Sequence, residues 1–92
     1  MVKLLSITKS DRAGKKLVAK FDDGTKTHFG ATGYEDFTTT GDEERKKRYL
    51  DRHRKNENWN DFKSAGSLSR WILWNRSTIA QSIADYKQRF GL

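Results

Sequence analysis

The sequence predicts an α+β fold: a three-stranded antiparallel sheet, arranged as a meander, followed by three helices packed on one face. Apolar residues alternate through the first third of the chain, as is typical of half-buried strands. A turn signal, Asp22-Asp23-Gly24, interrupts that alternation. After residue 40 apolar residues recur at helical spacing. The 92 residues fit one domain, with a β-meander over 1–30 and a mostly helical part over 31–92.

The strands are predicted over 3–9, 16–21 and 25–29. In the first strand the alternation places Leu5 and Ile7 on one face, with Leu4 on the other. In the second, Leu17, Ala19 and Phe21 share the apolar face.

The turn between the second and third strands predicts their register. Asp22 and Asp23 suit a type I turn, and Gly24 suits the left-handed position that follows it. A three-residue loop then pairs Phe21 with Thr25, Ala19 with Thr27 and Leu17 with Phe29, which gathers the large apolar side chains on one side. A two-residue loop would pair Phe21 with Lys26, which is less consistent.

Residues 30–39 are predicted to form a loop. Gly30 and Gly33 resemble a phosphate-binding loop, but no Lys-Ser/Thr pair follows them and no helix pattern begins at Gly33. The favoured interpretation is that the glycines bend the chain so that Tyr34 and Phe37 cap the core.

A helix is predicted over 42–56, ending near Asn56. Thr40 and Glu43 have the spacing of a capping box. The acids come first and the cations later, an order that complements the helix dipole. Tyr49, Leu50 and His53 form a narrow inward stripe.

Two further helices complete the predicted fold. Ser67 is expected to cap the first, in which Leu68, Trp71, Ile72 and Asn75 follow helical spacing and Trp74 widens the stripe. Thr78 and Gln81 form a second capping box, and Gly91 suits the end of the last helix. The face of that helix is lined by Ile79, Ile83, Tyr86 and Phe90.

The predicted helix at 42–56 concentrates positive charge. Residues 45–55 carry seven basic side chains and one acid, which indicates an acidic partner. We expect sequence-independent, salt-sensitive contact with nucleic-acid phosphates, with double-stranded DNA as the favoured partner, because no base-reading motif is present. The candidate nucleic-acid-binding residues are Arg45, Lys46, Lys47, Arg48, Arg52, Arg54, Lys55, Arg70 and Arg76.

Alternative interpretations of the same residues stay open. The charged segment can instead be a solvated surface. A second basic patch can form on the solvent face of the sheet, from Lys15, Lys16, Lys20 and Lys26. The three tryptophans, Trp59, Trp71 and Trp74, can stack on bases, although core packing is favoured in a domain this small.

No enzyme, cofactor or metal site is expected. Asp51, His53 and Glu57 resemble a nuclease cluster only superficially, because Asp51 and His53 do not share a helix face. His28 and His53 are the only histidines, and the sequence has no Cys. No apolar run is long enough for a membrane span, so no membrane partner is expected.

The string Ser67 to Asn75, with its Trp-Ile-Leu-Trp core, resembles a family of small basic proteins encoded by giant DNA viruses, the nucleocytoplasmic large DNA viruses. The family is classed as a domain of unknown function, so the resemblance implies no catalytic residue. It implies a viral origin and a place in the virion or in the virus factory of the host cytoplasm. Further matching pieces are Lys9 to Asp11, Phe21 to Gly30, Gly33 to Asp36, Arg48-Tyr49, Arg52-His53, Glu57 to Trp59, Ala65-Gly66 and Ser82 to Lys87.

Two functions are therefore expected from the sequence. The first is a non-enzymatic viral nucleic-acid-binding protein, associated with the genome or the virion. The second is a small structural or adaptor protein that binds an acidic viral or host protein through its basic face. The choice between DNA and RNA, and the oligomeric state, stay open.

Overall fold

The computed structural model describes residues 2–55 and 57–92 and contains one sheet of three antiparallel strands. The strands are β1 (Leu4–Lys9), β2 (Lys15–Phe21) and β3 (Lys26–Ala31), in the order β1-β2-β3. Helices follow the sheet in the chain. The predicted α+β class, with a meander followed by helices, is confirmed.

The register of β2 and β3 is the one that the turn predicted. Leu17 lies opposite Phe29, and Ala19 lies opposite Thr27. The Phe21 N–H donates to the Thr25 carbonyl at 3.0 Å, which closes the three-residue loop. Gly24 has φ of 89°, the left-handed conformation that this loop requires and that a side chain disfavours.

The predicted faces of β1 are wrong at two residues, Leu4 and Leu5. Leu4 is buried and Ile7 packs against the core, whereas Leu5 is 66% exposed. The pairing with β2 shifts between Leu4 and Ser6, so β1 carries an irregularity of the bulge type there. One extra residue reverses the alternation, and Leu4 and Ile7 therefore reach the same side of the sheet.

The segment predicted as a loop over 30–39 contains a short helix, α1 (Phe37–Thr40). Asp36 caps it, since its carboxylate accepts the Thr38 N–H at 2.9 Å. Gly41, with φ of 64°, ends it. Phe37 is buried as predicted, but Tyr34 is 75% exposed and does not cap the core.

The basic helix, α2, spans Glu43–His53 and is shorter than the predicted 42–56. Its cap is Asp42 and not Thr40: the Asp42 carboxylate accepts the N–H groups of Glu44 and Arg45 at 3.0 and 3.2 Å. The chain leaves α2 at Arg54, which is the C-cap. The predicted end near Asn56 lies outside the described residues.

The third helical segment begins earlier than predicted. Ser64 and not Ser67 is its cap, because the Ser64 hydroxyl accepts the Ser67 N–H at 3.0 Å. Ser67 is buried, and its hydroxyl donates to the Trp59 carbonyl at 3.0 Å. The segment, α3, runs over Ala65–Leu68 and continues as a π-helical stretch over Ser69–Leu73.

The last helix, α4 (Ile79–Phe90), begins after the predicted cap Thr78 and ends at the predicted Gly91, but the predicted capping box is only half formed, because the Gln81 side-chain oxygen accepts from the Ser77 hydroxyl at 3.2 Å. The Thr78 hydroxyl accepts the Gln81 N–H at 3.2 Å, and Gly91 ends the helix with φ of 67°. Tyr86 is fully buried and its hydroxyl donates to the Phe62 carbonyl at 2.5 Å. No helix in the described parts of the chain has the length and apolarity that crossing a membrane requires.

The core lies between one face of the sheet and the helical segments α3 and α4. Its fully buried members come from both layers, and Trp71 and Trp74 are half-buried against it, in agreement with the favoured packing role. The buried cluster is Leu4, Ala19, Phe21, Phe29, Leu68, Ile72, Leu73 and Tyr86. α2 joins this core through Tyr49, whose ring stacks on Trp74 at 4.3 Å.

Candidate nucleic-acid interface

Three stacked rings hold one face of α2 against the protein. Tyr49 is buried, with the Trp74 ring parallel to it at 4.3 Å and the His53 ring stacked at 4.3 Å. Burial, and next the charge of Glu57, raise the pKa of the Tyr49 hydroxyl, so it stays protonated at neutral pH. Of the predicted inward stripe of Tyr49, Leu50 and His53, only Tyr49 is buried, and Leu50 and His53 are half-buried. Tyr49 thus fixes which cations of α2 face outward.

Two of the predicted binding residues on α2 are engaged by the protein itself. The Arg45 guanidinium lies 2.7 Å from the Glu35 carboxylate. Lys46 donates to the Asn75 carbonyl at 2.8 Å, and its ammonium lies 4.8 Å from the centre of the Phe37 ring. Both cations therefore help to fasten α2 to its surroundings.

Five other cations on and after α2 are exposed. Within the ranges 2–55 and 57–92, none of them forms an ion pair with a carboxylate. Cations without an ion-pair partner favour binding of an anionic partner, since no contact with a carboxylate has to be broken first. They are Lys47, Arg48, Arg52, Arg54 and Lys55.

The two predicted residues outside α2 lie in different surroundings. Arg76 is exposed, 3.6 Å from Asp85, and it follows Asn75, the residue that Lys46 contacts. Arg70 is enclosed: its guanidinium lies 4.1 Å from the Trp71 ring centre and 5.5 Å from that of Trp59. Burial, and next the charge of Arg89, lower the pKa of Arg70. Its position indicates a packing role.

A cleft of about 660 Å³ opens beside α2. It is lined by Arg45, Arg48 and Arg52 of α2 and by residues from the start of β2 and from the segment around the end of β3, including Ala31 and Tyr34 to Asp36. Ala65 and Gly66 of α3 also line it. The remaining lining side chains include Lys15, Lys16, Tyr34, Glu35, Asp36, Tyr49, His53, Glu57, Leu73 and Trp74.

Two glycines keep this cleft open. A Cβ on Gly30 would come 2.8 Å from Leu73 Cδ1, and Gly30 has φ of 81°. A Cβ on Gly66 would come 2.8 Å from the Glu57 carboxylate carbon. Side chains at either position would press on the residues that line the cleft.

The carboxylates of the cleft are already engaged. Asp36, only 3% exposed, pairs with Lys16 at 2.7 Å, and Glu35 pairs with Arg45. Glu57 accepts from Trp59 Nε1 at 3.1 Å and lies 3.3 Å from His53 Nδ1. Among the described residues, the lining cations without a carboxylate partner are Lys15, Arg48 and Arg52.

The alternative basic patch on the sheet does not form as one surface. Lys16 turns towards Asp36, and Lys15 lines the cleft. Lys20 and Lys26 face each other at the other end of β2 and β3. A strand rises about 3.3 Å per residue, so the two pairs are well separated.

Among the described residues, the potential metal ligands do not converge. His28 Nδ1 shares a hydrogen bond with the Ser10 hydroxyl at 2.6 Å, and His53 lies beside Glu57. In the parts of the chain that the structure describes, no group of three or more His, Cys, Asp or Glu side chains is placed to hold a metal ion.

Comparison with known proteins finds one family. The model of a family of unknown function (DUF5754) matches residues 5–53, more than half of the chain. The match covers the sheet except Leu4, together with α1 and α2, and ends with the last residue of α2. The Trp71 to Trp74 string lies outside it. No curated protein and no solved structure matches the chain.

Proposed function

The chain belongs to a family of unknown function (DUF5754), and we propose that it is a non-enzymatic nucleic-acid-binding protein that contacts phosphates through α2. The observation that carries the proposal is the set of exposed cations that have no carboxylate partner in the described chain: Lys47, Arg48, Arg52, Arg54 and Lys55. Such a set costs electrostatic repulsion in the free protein, and phosphates remove that cost.

The proposed binding is largely independent of sequence. Tyr49 and Lys46 fasten one side of α2 to the protein, and the exposed side carries cations beside Glu44 and Asp51. Guanidinium and ammonium groups suit phosphate oxygens, which carry no base identity. Double-stranded DNA is the proposed partner, and RNA is the competitor to measure against it.

Binding of a duplex at two or more salt concentrations tests this function. A helix variant, Lys47→Gln with Arg54→Gln and Lys55→Gln, is compared with a sheet variant, Lys9→Gln with Lys20→Gln and Lys26→Gln. Both variants lose three positive charges. Each phosphate contact contributes about 0.9 to the salt slope for duplex DNA, so the helix variant should lose up to about 3 in slope.

The two charge-matched variants distinguish binding through a defined interface on α2 from attraction of DNA by the net positive charge of the protein. The sheet variant should keep most of the affinity and most of the salt slope. Equal losses in both variants would mean that only net charge matters, and the assignment to α2 would be wrong.

A viral setting forms part of the proposal. The resemblance to small basic proteins of giant DNA viruses supports a place in the virion or in the virus factory of the host cytoplasm. Mass spectrometry of purified particles and of the infected-cell fraction checks the two locations. Absence from both would remove the viral setting and leave the binding function to be judged separately.

The second candidate is an adaptor that binds an acidic viral or host protein through the same cations. Leu5, exposed on the edge strand β1, supports it, since an edge strand with an apolar side chain offers a protein contact. The candidates differ in one measurement. An adaptor should bind neither DNA nor RNA at moderate salt, whereas the proposed function requires binding to at least one.

A further inference from the structure

We propose that the cleft beside α2 holds one nucleotide of an unpaired strand, with its phosphate between Arg48 and Arg52 and its base against Tyr34. The inference rests on the proposed function and deepens it. It assigns the cleft to single-stranded nucleic acid, and it leaves duplex binding to the outward cations Lys47, Arg54 and Lys55.

The dimensions of the cleft suit a ligand of this size. Its volume of about 660 Å³ lies within the range of about 300 to 1,000 Å³ that is typical of small-molecule sites. The cleft is open to solvent, so a strand can enter and leave. Gly30 and Gly66 line it without side chains.

The charges of the cleft favour one phosphate. The carboxylates of Glu35, Asp36 and Glu57 have partners within the protein. Arg48 and Arg52 are four residues apart on α2, so they share a face and line the same wall. Two guanidinium forks side by side match the oxygens of a phosphate, and Lys15, which lines the same cleft, adds positive charge.

Tyr34 supplies the surface for a base. It is 75% exposed, and within residues 2–55 and 57–92 its ring stacks on no other aromatic ring. Its backbone is held, because its carbonyl accepts a hydrogen bond from the Lys16 ammonium. A positioned but uncovered aromatic ring is what stacking recognition of bases uses. The faces of Tyr49, by contrast, are covered by Trp74 and His53.

The geometry selects an unpaired strand. Bases in a duplex stack on one another and expose only their edges in the grooves, so they cannot present a face to Tyr34. A single strand can turn one base out and place its phosphate on α2 at the same time.

Fluorescence anisotropy with labelled oligo(dT), and with the corresponding duplex, tests the inference. Tyr34→Ala should weaken oligo(dT) binding about tenfold, which corresponds to one stacked base. Tyr34→Phe should bind as the native protein does, because the ring remains. Neither variant should change duplex binding. Since Tyr34 is exposed, both should fold, which circular dichroism checks.

A charge-matched pair of variants on the same helix completes the test. Arg48→Gln with Arg52→Gln should weaken oligo(dT) binding more than Lys47→Gln with Arg54→Gln. Both pairs remove two positive charges, but only the first removes guanidinium groups that line the cleft. For the duplex the second pair should cost at least as much as the first.

The outcomes distinguish the two proposals. If the protein binds both probes and Tyr34→Ala has no effect on oligo(dT), the cleft assignment is overturned while the proposed function stands. If the protein binds no nucleic acid, the proposed function fails and the cleft assignment falls with it.

Discussion

Arg70 is a charged side chain that packs against aromatic rings of this small protein. Its guanidinium lies 4.1 Å from the Trp71 ring centre, and it donates to the Trp74 carbonyl at 2.9 Å. Its Nε is buried and has no acceptor among the described residues. A planar cation that stacks on a ring and reaches a carbonyl uses properties that lysine lacks.

Arg70→Lys should therefore destabilise the fold by about 1–2 kcal/mol, although the charge is kept. Unfolding in urea measures the change. Arg76→Lys is the control: that side chain is 60% exposed, and a lysine there still reaches Asp85, so its effect should stay within about 0.5 kcal/mol. Unchanged stability for Arg70→Lys, together with weaker nucleic-acid binding, would place Arg70 in the interface instead.

At the scale of the elements, the β2–β3 turn contains Gly24 and the end of β3 contains Gly30. The two glycines have similar φ angles but different neighbours. Gly24 has φ of 89°, and a Cβ added there would have open space for 4 Å around it. Gly30 has φ of 81°, and a Cβ added there would meet Leu73 Cδ1 at 2.8 Å. Both positions penalise a side chain through the backbone alone. Only Gly30 adds a packing conflict.

Gly24→Ala should cost about 1 kcal/mol, and Gly30→Ala about 2 kcal/mol or more. Urea unfolding of both variants measures the two losses. The difference between the two free energies of unfolding measures the packing conflict at Gly30, with Leu73 Cδ1 at 2.8 Å and Lys16 Cβ at 3.2 Å, because the backbone contribution is common to both. Equal losses would show that Leu73 shifts without an energetic cost and that the packing around this residue of the cleft is easily deformed.

Local signals predict those elements whose determinants are close together in the chain. Asp22, Asp23 and Gly24 carry the whole chemistry of their turn, and Thr78 and Gly91 mark the two ends of α4. The prediction for Leu5 is wrong because a bulge is set by pairing with β2, which the alternation of β1 does not contain.

The predicted caps are wrong where two candidates stand close together. Thr40 and Asp42 both suit the start of α2, and Ser64 and Ser67 both suit the start of α3. The choice depends on tertiary contacts: the Ser67 hydroxyl is taken by the Trp59 carbonyl. The sequence pattern holds no information on that bond.

The basic character of α2 is evident from the sequence, but the cleft beside it is not. Its walls come from segments far apart in the chain, such as Lys15, Tyr34 and Arg48. Which cations are free depends equally on tertiary structure, since Glu35 reaches Arg45 and Asn75 reaches Lys46 only in the folded chain. The spacing of residues within α2 does not show that Arg45 is paired with a carboxylate and that Arg48 is not.

For the molecule as a whole, the net charge of +7 makes stability depend on the few carboxylates that hold cations in place. Hydrogen bonds from Lys63 and Thr25 hold the pKa of Asp23 well below its usual range. A hydrogen bond from Asn75, with the charges of Arg89 and Arg76, lowers the pKa of Asp85. Asp23 links the β2–β3 loop to Lys63, and Asp85 links α4 to the segment before it.

Acid should therefore destabilise the protein. In the unfolded chain an Asp carboxyl titrates near pH 4, above its value in the fold, so the unfolded state binds more protons as the pH falls. The stabilisation is complete above about pH 5 and is lost as the pH falls through about 4 and below. The urea midpoint, measured from neutral pH downwards, should fall in that window. Asp23→Asn with Asp85→Asn should be less stable at neutral pH and should show a shallower fall.

Measurements at raised ionic strength separate the acid destabilisation that comes from Asp23 and Asp85 from the destabilisation that comes from general charge repulsion. Protonation of every carboxylate increases the net positive charge, and salt screens that long-range repulsion within about 10 Å at about 0.1 M. The fall that comes from Asp23 and Asp85 depends on short contacts with Lys63 and Asn75, so a large part of it should persist in salt. If salt abolishes the fall, or if the double variant falls as steeply as the native protein, the two carboxylates do not govern the acid response.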